Sequence, residues 1–201
     1  MMDMYFIIFL AIIVFWASLV HGSIGFGFGM ISTPLIALLT DMQTTIIVML
    51  IPTMIVNIIS IVNEGEFFQA IRKFWLMISL MIAGSIIGTF LLLYINSEYF
   101  KLLLALIIFL YLLQSSTKMK YHFIVKYEKI STYFVGILGG TISGLTNIVA
   151  PLMIIYSMEL NYSRKDTIQL SNLCFLFTKI GQISIFVFYG AFTIEFLKIS
   201  F

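Results

Sequence analysis

Long apolar runs separated by short polar corners set the pattern of this chain. The runs cover Met4–Val20, Thr44–Val62, Phe74–Ile95, Tyr99–Gln114, Ile130–Tyr156 and Thr167–Tyr189. A membrane-spanning helix needs about 20 predominantly apolar residues, so each run reads as a transmembrane helix. Met30–Leu39 is a shorter apolar piece, and Ala191–Phe201 is too short to cross. The charges punctuate the runs. All nine carboxylates (Asp3, Asp41, Glu64, Glu66, Glu98, Glu128, Glu159, Asp166 and Glu195) lie at or beyond predicted helix ends. The cations do the same except Lys179, which sits near the middle of its run. Met4–Val20 could be mistaken for a signal peptide. Its only early charge is Asp3 and no clear cleavage site follows, so it reads as a retained first helix.

Composition agrees with the pattern. Of the 201 residues, 61% are hydrophobic and 10% charged, and the mean hydropathy is +1.11. Soluble domains carry about 25% charged residues, so the bilayer is the better solvent for this chain. The net charge of +2 and the lack of a basic stripe with interleaved aromatics argue against nucleic acid. Cys174 is the single cysteine, so no intrachain disulfide can form. Basic residues orient membrane helices, with an excess of Lys and Arg on the cytoplasmic side. Lys118, Lys120, Lys126 and Lys129 cluster in one loop, and Arg72 and Lys73 lie two crossings earlier. Both groups are expected in the cytoplasm, which by the same count puts Arg164 and Lys165 outside.

A glycine cluster interrupts the first apolar stretch. Gly22-Ser-Ile-Gly25-Phe-Gly27-Phe-Gly29 is followed by Pro34. Glycine at every second position is poor helix material. As one helix, Met4 to Leu39 would be about 54 Å long, far more than a core of about 30 Å. The helix should therefore break inside the membrane, where irregular backbone survives only if protein buries it or it lines a cavity. A related pattern follows later: Gly139-Gly140-Thr-Ile-Ser143-Gly144-Leu-Thr-Asn147-Ile-Val-Ala-Pro151. Matching Pro34 to Pro151 superposes Gly27 on Gly144 and Gly22 on Gly139. Gly65-Glu-Phe67 likewise resembles Gly190-Ala-Phe192. The expected fold is an all-α polytopic transmembrane bundle of two related repeats with glycine-broken helices. The first repeat covers about 1–115, a basic cytoplasmic loop 116–129, and a second, incomplete repeat about 130–201. Matching broken helices in two repeats mark a transporter's substrate site. Gly84-Ser-Ile-Ile-Gly88, by contrast, reads as a helix-packing motif.

Lys179 is the most informative residue. A charge at a helix centre costs roughly 2.5–3.5 kcal/mol on insertion, and no intramembrane carboxylate exists to offset it. The sequence leaves several explanations open: snorkelling, a neutral amine, hydrogen bonds to carbonyls of a broken helix, or a wet cavity that admits anions. Asn172, Gln182 and Gln169 share its helix face. Thr53, Asn57 and Ser60 form a second polar stripe, in which Asn57 either bonds a neighbouring helix or meets a substrate. Ser143, Thr146 and Asn147 lie in the second motif, where free backbone N–H groups would favour an oxyanion. His21 adjoins the first motif and reads as an interfacial or structural residue. No HExxH, P-loop, CxxC or GxSxG is present. With two histidines and one cysteine, neither a metal nor another cofactor is expected, and the chain does not read as an enzyme. A Ser–Lys nucleophile pair through Lys179 has no identifiable serine.

The residues at 22–39 (Gly22-Ser-Ile-Gly-Phe-Gly-Phe-Gly-Met-Ile-Ser-Thr-Pro-Leu-Ile-Ala-Leu-Leu39), at 143–156 (Ser143 to Tyr156) and the corner Arg164-Lys-Asp-Thr-Ile168 resemble the sulfite exporter TauE/SafE family of bacterial membrane transporters. The resemblance runs over essentially the whole chain. Asn147, Val149 and Ala150 depart from it, standing where the family usually places glycine or another small residue. The family commonly has two four-helix halves, so this chain is expected to be a short member, a fragment, or a chain completed by association, for example as a homo-oligomer. The resemblance implies a multi-pass protein of the bacterial inner membrane that carries a small anion, often sulfite or a sulfonate. The residues agree in sign. The expected site comprises Gly25, Gly27, Gly29, Asn57, Ser143, Gly144, Asn147, Asn172, Lys179 and Gln182, working by alternating access. The expected partners are the lipid bilayer and the anion. The rival reading is a non-transporting or partner-dependent membrane subunit.

Overall fold

A computed structural model describes residues 4–117 and 122–191. Among the described residues the secondary structure is entirely α-helical. The elements are α1 (Met4–Ile24), α2 (Phe28–Ala37), α3 (Met42–Glu64), α4 (Phe67–Tyr94), α5 (Glu98–Thr117), α6 (His122–Lys126), α7 (Glu128–Thr146), α8 (Ala150–Glu159) and α9 (Arg164–Phe188). Four of them, α1, α3, α4 and α9, are long and apolar enough to cross a membrane. The run expected over Ile130–Tyr156 is two helices, α7 and α8, because the second motif breaks the chain at Asn147. The helix expected from Phe74 starts at Phe67, so Arg72 and Lys73 lie within α4. The basic loop contains a short helix, α6. The piece expected at Ala191–Phe201 lies, apart from Ala191, outside the described residues. Large apolar side chains face outward along α1 and α5: Phe15 and Trp16 are 60% and 61% exposed, and Leu102 is 70% exposed. Such a surface is stable in lipid and not in water.

Local chemistry ends the helices where the sequence is polar. The Asp41 carboxylate accepts the Thr44 N–H at 3.0 Å and caps α3. Ser163 Oγ accepts the Asp166 N–H at 3.1 Å and caps α9 in the same way. Each cap satisfies one of the unpaired N–H groups of a helix start.

Side-chain contacts sort the helix ends into two groups. At one end Lys73 pairs with Asp166 at 2.7 Å and Lys165 with Glu66 at 3.0 Å. Thr132 and Tyr156 share a hydrogen bond of 2.8 Å there, and Lys129 lines a cavity with Lys73. At the other end Tyr94 packs on Tyr189, and Ala37, Met42, Leu92, Phe100 and Phe186 form one apolar cluster. Arg164 and Lys165 therefore lie at the same end as Arg72 and Lys73. The expectation that they fall on the opposite side is corrected. It counted Ile130–Tyr156 as a full crossing, whereas α8 turns back and returns the chain to the end from which α7 started.

The α1–α2 pair is the mirror case. His21 and Gly25, at the end of α1, meet Ser60 and Asn172 toward the Lys73 end, and α2 runs back toward the opposite end. The bundle thus holds two hairpins that enter from opposite ends. The element boundaries keep one spacing: the starts and ends of α8 and the start of α9 lie 122 positions after those of α2 and α3. The glycine and proline match read from the sequence gives 117 positions instead.

With Arg72, Lys73, Lys126, Lys129, Arg164 and Lys165 at one end, the positive-inside rule predicts that end to be cytoplasmic. A membrane-impermeant maleimide applied to intact cells should label Glu98→Cys and spare Lys165→Cys. Cys174 is fully buried and should stay silent. The reverse labelling pattern would overturn the orientation.

Candidate functional site

The two breaks meet inside the bundle. At the first, Gly25 (φ +98°) and Gly27 (φ +102°) adopt left-handed backbone that other residues rarely reach. At the second, Asn147 takes φ 58° as the C-cap of α7. Asparagine tolerates this conformation better than other side-chain-bearing residues. This explains how Asn147 stands where a glycine was expected. Gly29, in the first turn of α2, abuts the second break: a Cβ on it would lie 2.6 Å from the Asn147 carbonyl oxygen. The Asn147 side-chain amide also donates to Thr33 Oγ1 at 2.8 Å.

Lys179 lies against this junction and is fully buried. Its ammonium donates to Asn147 Oδ1 and to Gln182 Oε1. Snorkelling is thereby answered: the side chain turns inward, and its acceptors are side-chain oxygens, not the backbone carbonyls considered from the sequence. The Gln182 amide in turn donates to the backbone oxygens of Ser143 and Gly144, at 3.4 and 3.3 Å. In its charged form the amine has three N–H donors, and two of them are used here. No carboxylate among the described residues contacts it.

The backbone adds donors of the same sign. Helix starts leave N–H groups unpaired and carry a partial positive charge. In α2 the N–H groups of Gly29 and Met30 find no acceptor among the described residues, and in α8 the same is true of Ala150 and Leu152. Ser143 Oγ, one turn before Asn147, is buried without a partner among the described residues. The junction is rich in donors and poor in negative charge, a setting that suits an anion.

The other expected residues fall in two places. Asn172, also fully buried, donates to the backbone oxygens of Gly25 at 2.7 Å and Ile168 at 2.8 Å, tying α9 to the first break. Among the described residues no hydrogen-bond partner meets its Oδ1, Asn57 Nδ2 or Thr53 Oγ1 on α3. Buried polar atoms without partners are uncommon in proteins and mark sites for water, ions or ligands. Gly144 lies at the contact between α7 and α4, where a Cβ would meet Ser85 O at 2.7 Å. The structure gives it a packing role alongside its carbonyl contact with Gln182. Thr33 was not singled out from the sequence. Its only signal there is its place one residue before Pro34 in the first motif.

Comparison with known proteins gives one result. A family model described as Sulfite exporter TauE/SafE matches residues 10–199. No curated protein and no solved structure matches.

Proposed function

We propose, since this chain belongs to the sulfite exporter TauE/SafE family, that it is a membrane carrier of a small oxyanion, with sulfite or a sulfonate as its substrate class. One observation carries the reading. A fully buried lysine without a carboxylate partner sits where the starts of two half-helices leave N–H groups unpaired. An oxyanion at this junction would take the place of Asn147 Oδ1 and Gln182 Oε1 around the ammonium. It would accept the free N–H groups of α2 and α8. Asn57, Asn172, Gly25 and Gly27 then line the approach from the Lys73 end. The two oppositely inserted hairpins are read as duplicated halves, and alternating access as their rocking about the junction. Lys179 is fully buried, so on this reading the hairpins must move for an anion to reach it.

The test is the flux of radiolabelled sulfite down its gradient into proteoliposomes. Sulfite flux well above that of empty vesicles, competed by sulfonates, supports the reading. An inside-negative potential would assist export by about 2.3 kcal/mol per net charge per 100 mV, so imposing a potential reports the charge carried. A second reading rests on the closed bonds of Lys179: the same contacts would serve a structural lysine in a partner-dependent subunit. Absence of flux for sulfite, sulfonates and small carboxylates would select it.

A further inference from the structure

We propose that His21 is the proton-coupling residue of this carrier: one proton on its ring releases the first half-helix for the anion. The inference rests on the anion-carrier reading above.

His21 is 2% exposed and is held on both ring nitrogens. The Phe28 N–H donates to Nδ1 at 3.3 Å. Nε2 lies 2.8 Å from Ser60 Oγ. A neutral imidazole has one acceptor and one donor nitrogen. Because Nδ1 accepts, Nε2 carries the hydrogen and donates to Ser60. One ring therefore joins the last turn of α1, the first residue of α2 and α3. Phe28 is adjacent to Gly29, whose α-carbon packs on Asn147.

Proton transfer to Nδ1 turns the acceptor into a second donor. The hydrogen bond from Phe28 N–H is then lost and replaced by repulsion between two N–H groups, while Nε2–H···Ser60 can persist. The freed Phe28 N–H joins those of Gly29 and Met30 at the start of α2, and the ring gains one positive charge. Both changes favour an anion at the junction, so proton and anion bind together and move together. The balance is one proton taken from water at Nδ1 and returned to water when the anion leaves. A route for it exists: a cavity of about 160 Å³ between α1 and α3 is lined by His21, Gly25, Ser60, Asn63 and Glu64. Glu64 on α3 is the ionisable group that shares this cavity. From α2 the ring faces the Phe28 N–H, and from α9 the Asn172 amide, neither of which titrates.

The register of 122 positions places Ser143 opposite His21 and Gln182 opposite Ser60. In the second half the equivalent tie is Gln182 to the Ser143 carbonyl, which holds no proton-accepting ring. Coupling is thus confined to the first half.

The test uses a sulfonate, which keeps a single negative charge between pH 5 and 8. Wild-type proteoliposomes with an alkaline lumen and no membrane potential should concentrate it, up to about tenfold per pH unit for one proton per anion. His21→Asn offers Oδ1 to the Phe28 N–H but cannot be protonated. It should lose the uphill accumulation, and the downhill flux that remains should be lower than wild type and should no longer rise as pH falls. Two outcomes overturn the proposal: wild type that does not concentrate the sulfonate while carrying it downhill, or His21→Asn that concentrates it as wild type does. Wild type alone can overturn the coupling. If His21→Asn fails to fold, His21→Gln, which also cannot be protonated, takes its place: accumulation equal to wild type overturns the role of the ring. Failure of all anion flux in wild type instead overturns the carrier reading beneath it.

Discussion

Replacing Lys179 with Met should lower sulfite flux at least tenfold while the protein still inserts. Methionine falls one atom short of the lysine side chain and supplies neither charge nor donors. An anion entering the junction would then leave water without a counter-charge, and burying an unpaired charge is among the most costly steps in protein energetics. Insertion should not suffer, because a central lysine itself costs roughly 2.5–3.5 kcal/mol. Stability should fall, since Asn147 Oδ1 and Gln182 Oε1 lose their donor. Leaving a buried acceptor unsatisfied costs about 1–3 kcal/mol. Lys179→Arg separates the two effects. It restores the positive charge with a different donor geometry, so partial flux is expected. The measurement is initial sulfite uptake normalised to reconstituted protein, beside a thermal unfolding scan in detergent. If Lys179→Met transports like wild type, the lysine is structural and the site lies elsewhere. If stability falls and flux does not, the same conclusion holds.

The sequence made the helices legible because hydropathy and charge placement are strong signals along 20-residue windows. Both breaks were legible too, as glycine in close succession and as Asn147 ahead of Pro151. The shared face of Asn172, Lys179 and Gln182 followed from helical spacing, and all three are buried on α9. What the sequence did not carry was direction. Whether a broken helix crosses or turns back depends on tertiary contacts such as Tyr156 with Thr132, which no local pattern encodes. That ambiguity put Arg164 and Lys165 at the wrong end. The spacing of 122 positions between element boundaries was hidden for a related reason. Residues 28–37 and 150–159 share no identity at that spacing, so the glycine and proline matches drew the comparison to 117. The tie through His21 was unreadable for lack of any signal that Ser60 and Phe28 converge on one ring.

The largest structural effect is expected at the seam between α4 and α7. Gly84 and Gly88 on α4 face Gly140 and Gly144 on α7 so closely that backbone touches backbone. A Cβ on Gly140 would lie 2.2 Å from the Met81 carbonyl oxygen, and one on Gly84 would lie 2.2 Å from that of Ile137. Neither obstacle is a side chain that could rotate away, so the helices must part. Membrane helices gain their association from close packing of small residues, with no hydrophobic drive to replace it. Overpacking typically costs about 1–3 kcal/mol, occasionally more, and here even one methyl group overpacks. Gly140→Ala should therefore lower the thermal stability markedly, and Gly140→Val should leave little folded protein. Gly22→Ala is the matched control: nothing lies within 4 Å of its added Cβ, so stability should not change. Function should respond at a graded distance. Gly144 is three residues from Asn147 in the last turn of α7. Moving that turn draws Asn147 from Lys179 and the Gly144 carbonyl from Gln182. Gly144→Ala should thus reduce sulfite flux more than its loss of stability accounts for, whereas Gly84→Ala should reduce flux only as far as folded protein is lost. Equal stability of Gly140→Ala and wild type would mean that the two helices do not pack at backbone distance in the membrane. The placement of Asn147 beside Lys179, which depends on that seam, would then fall with it.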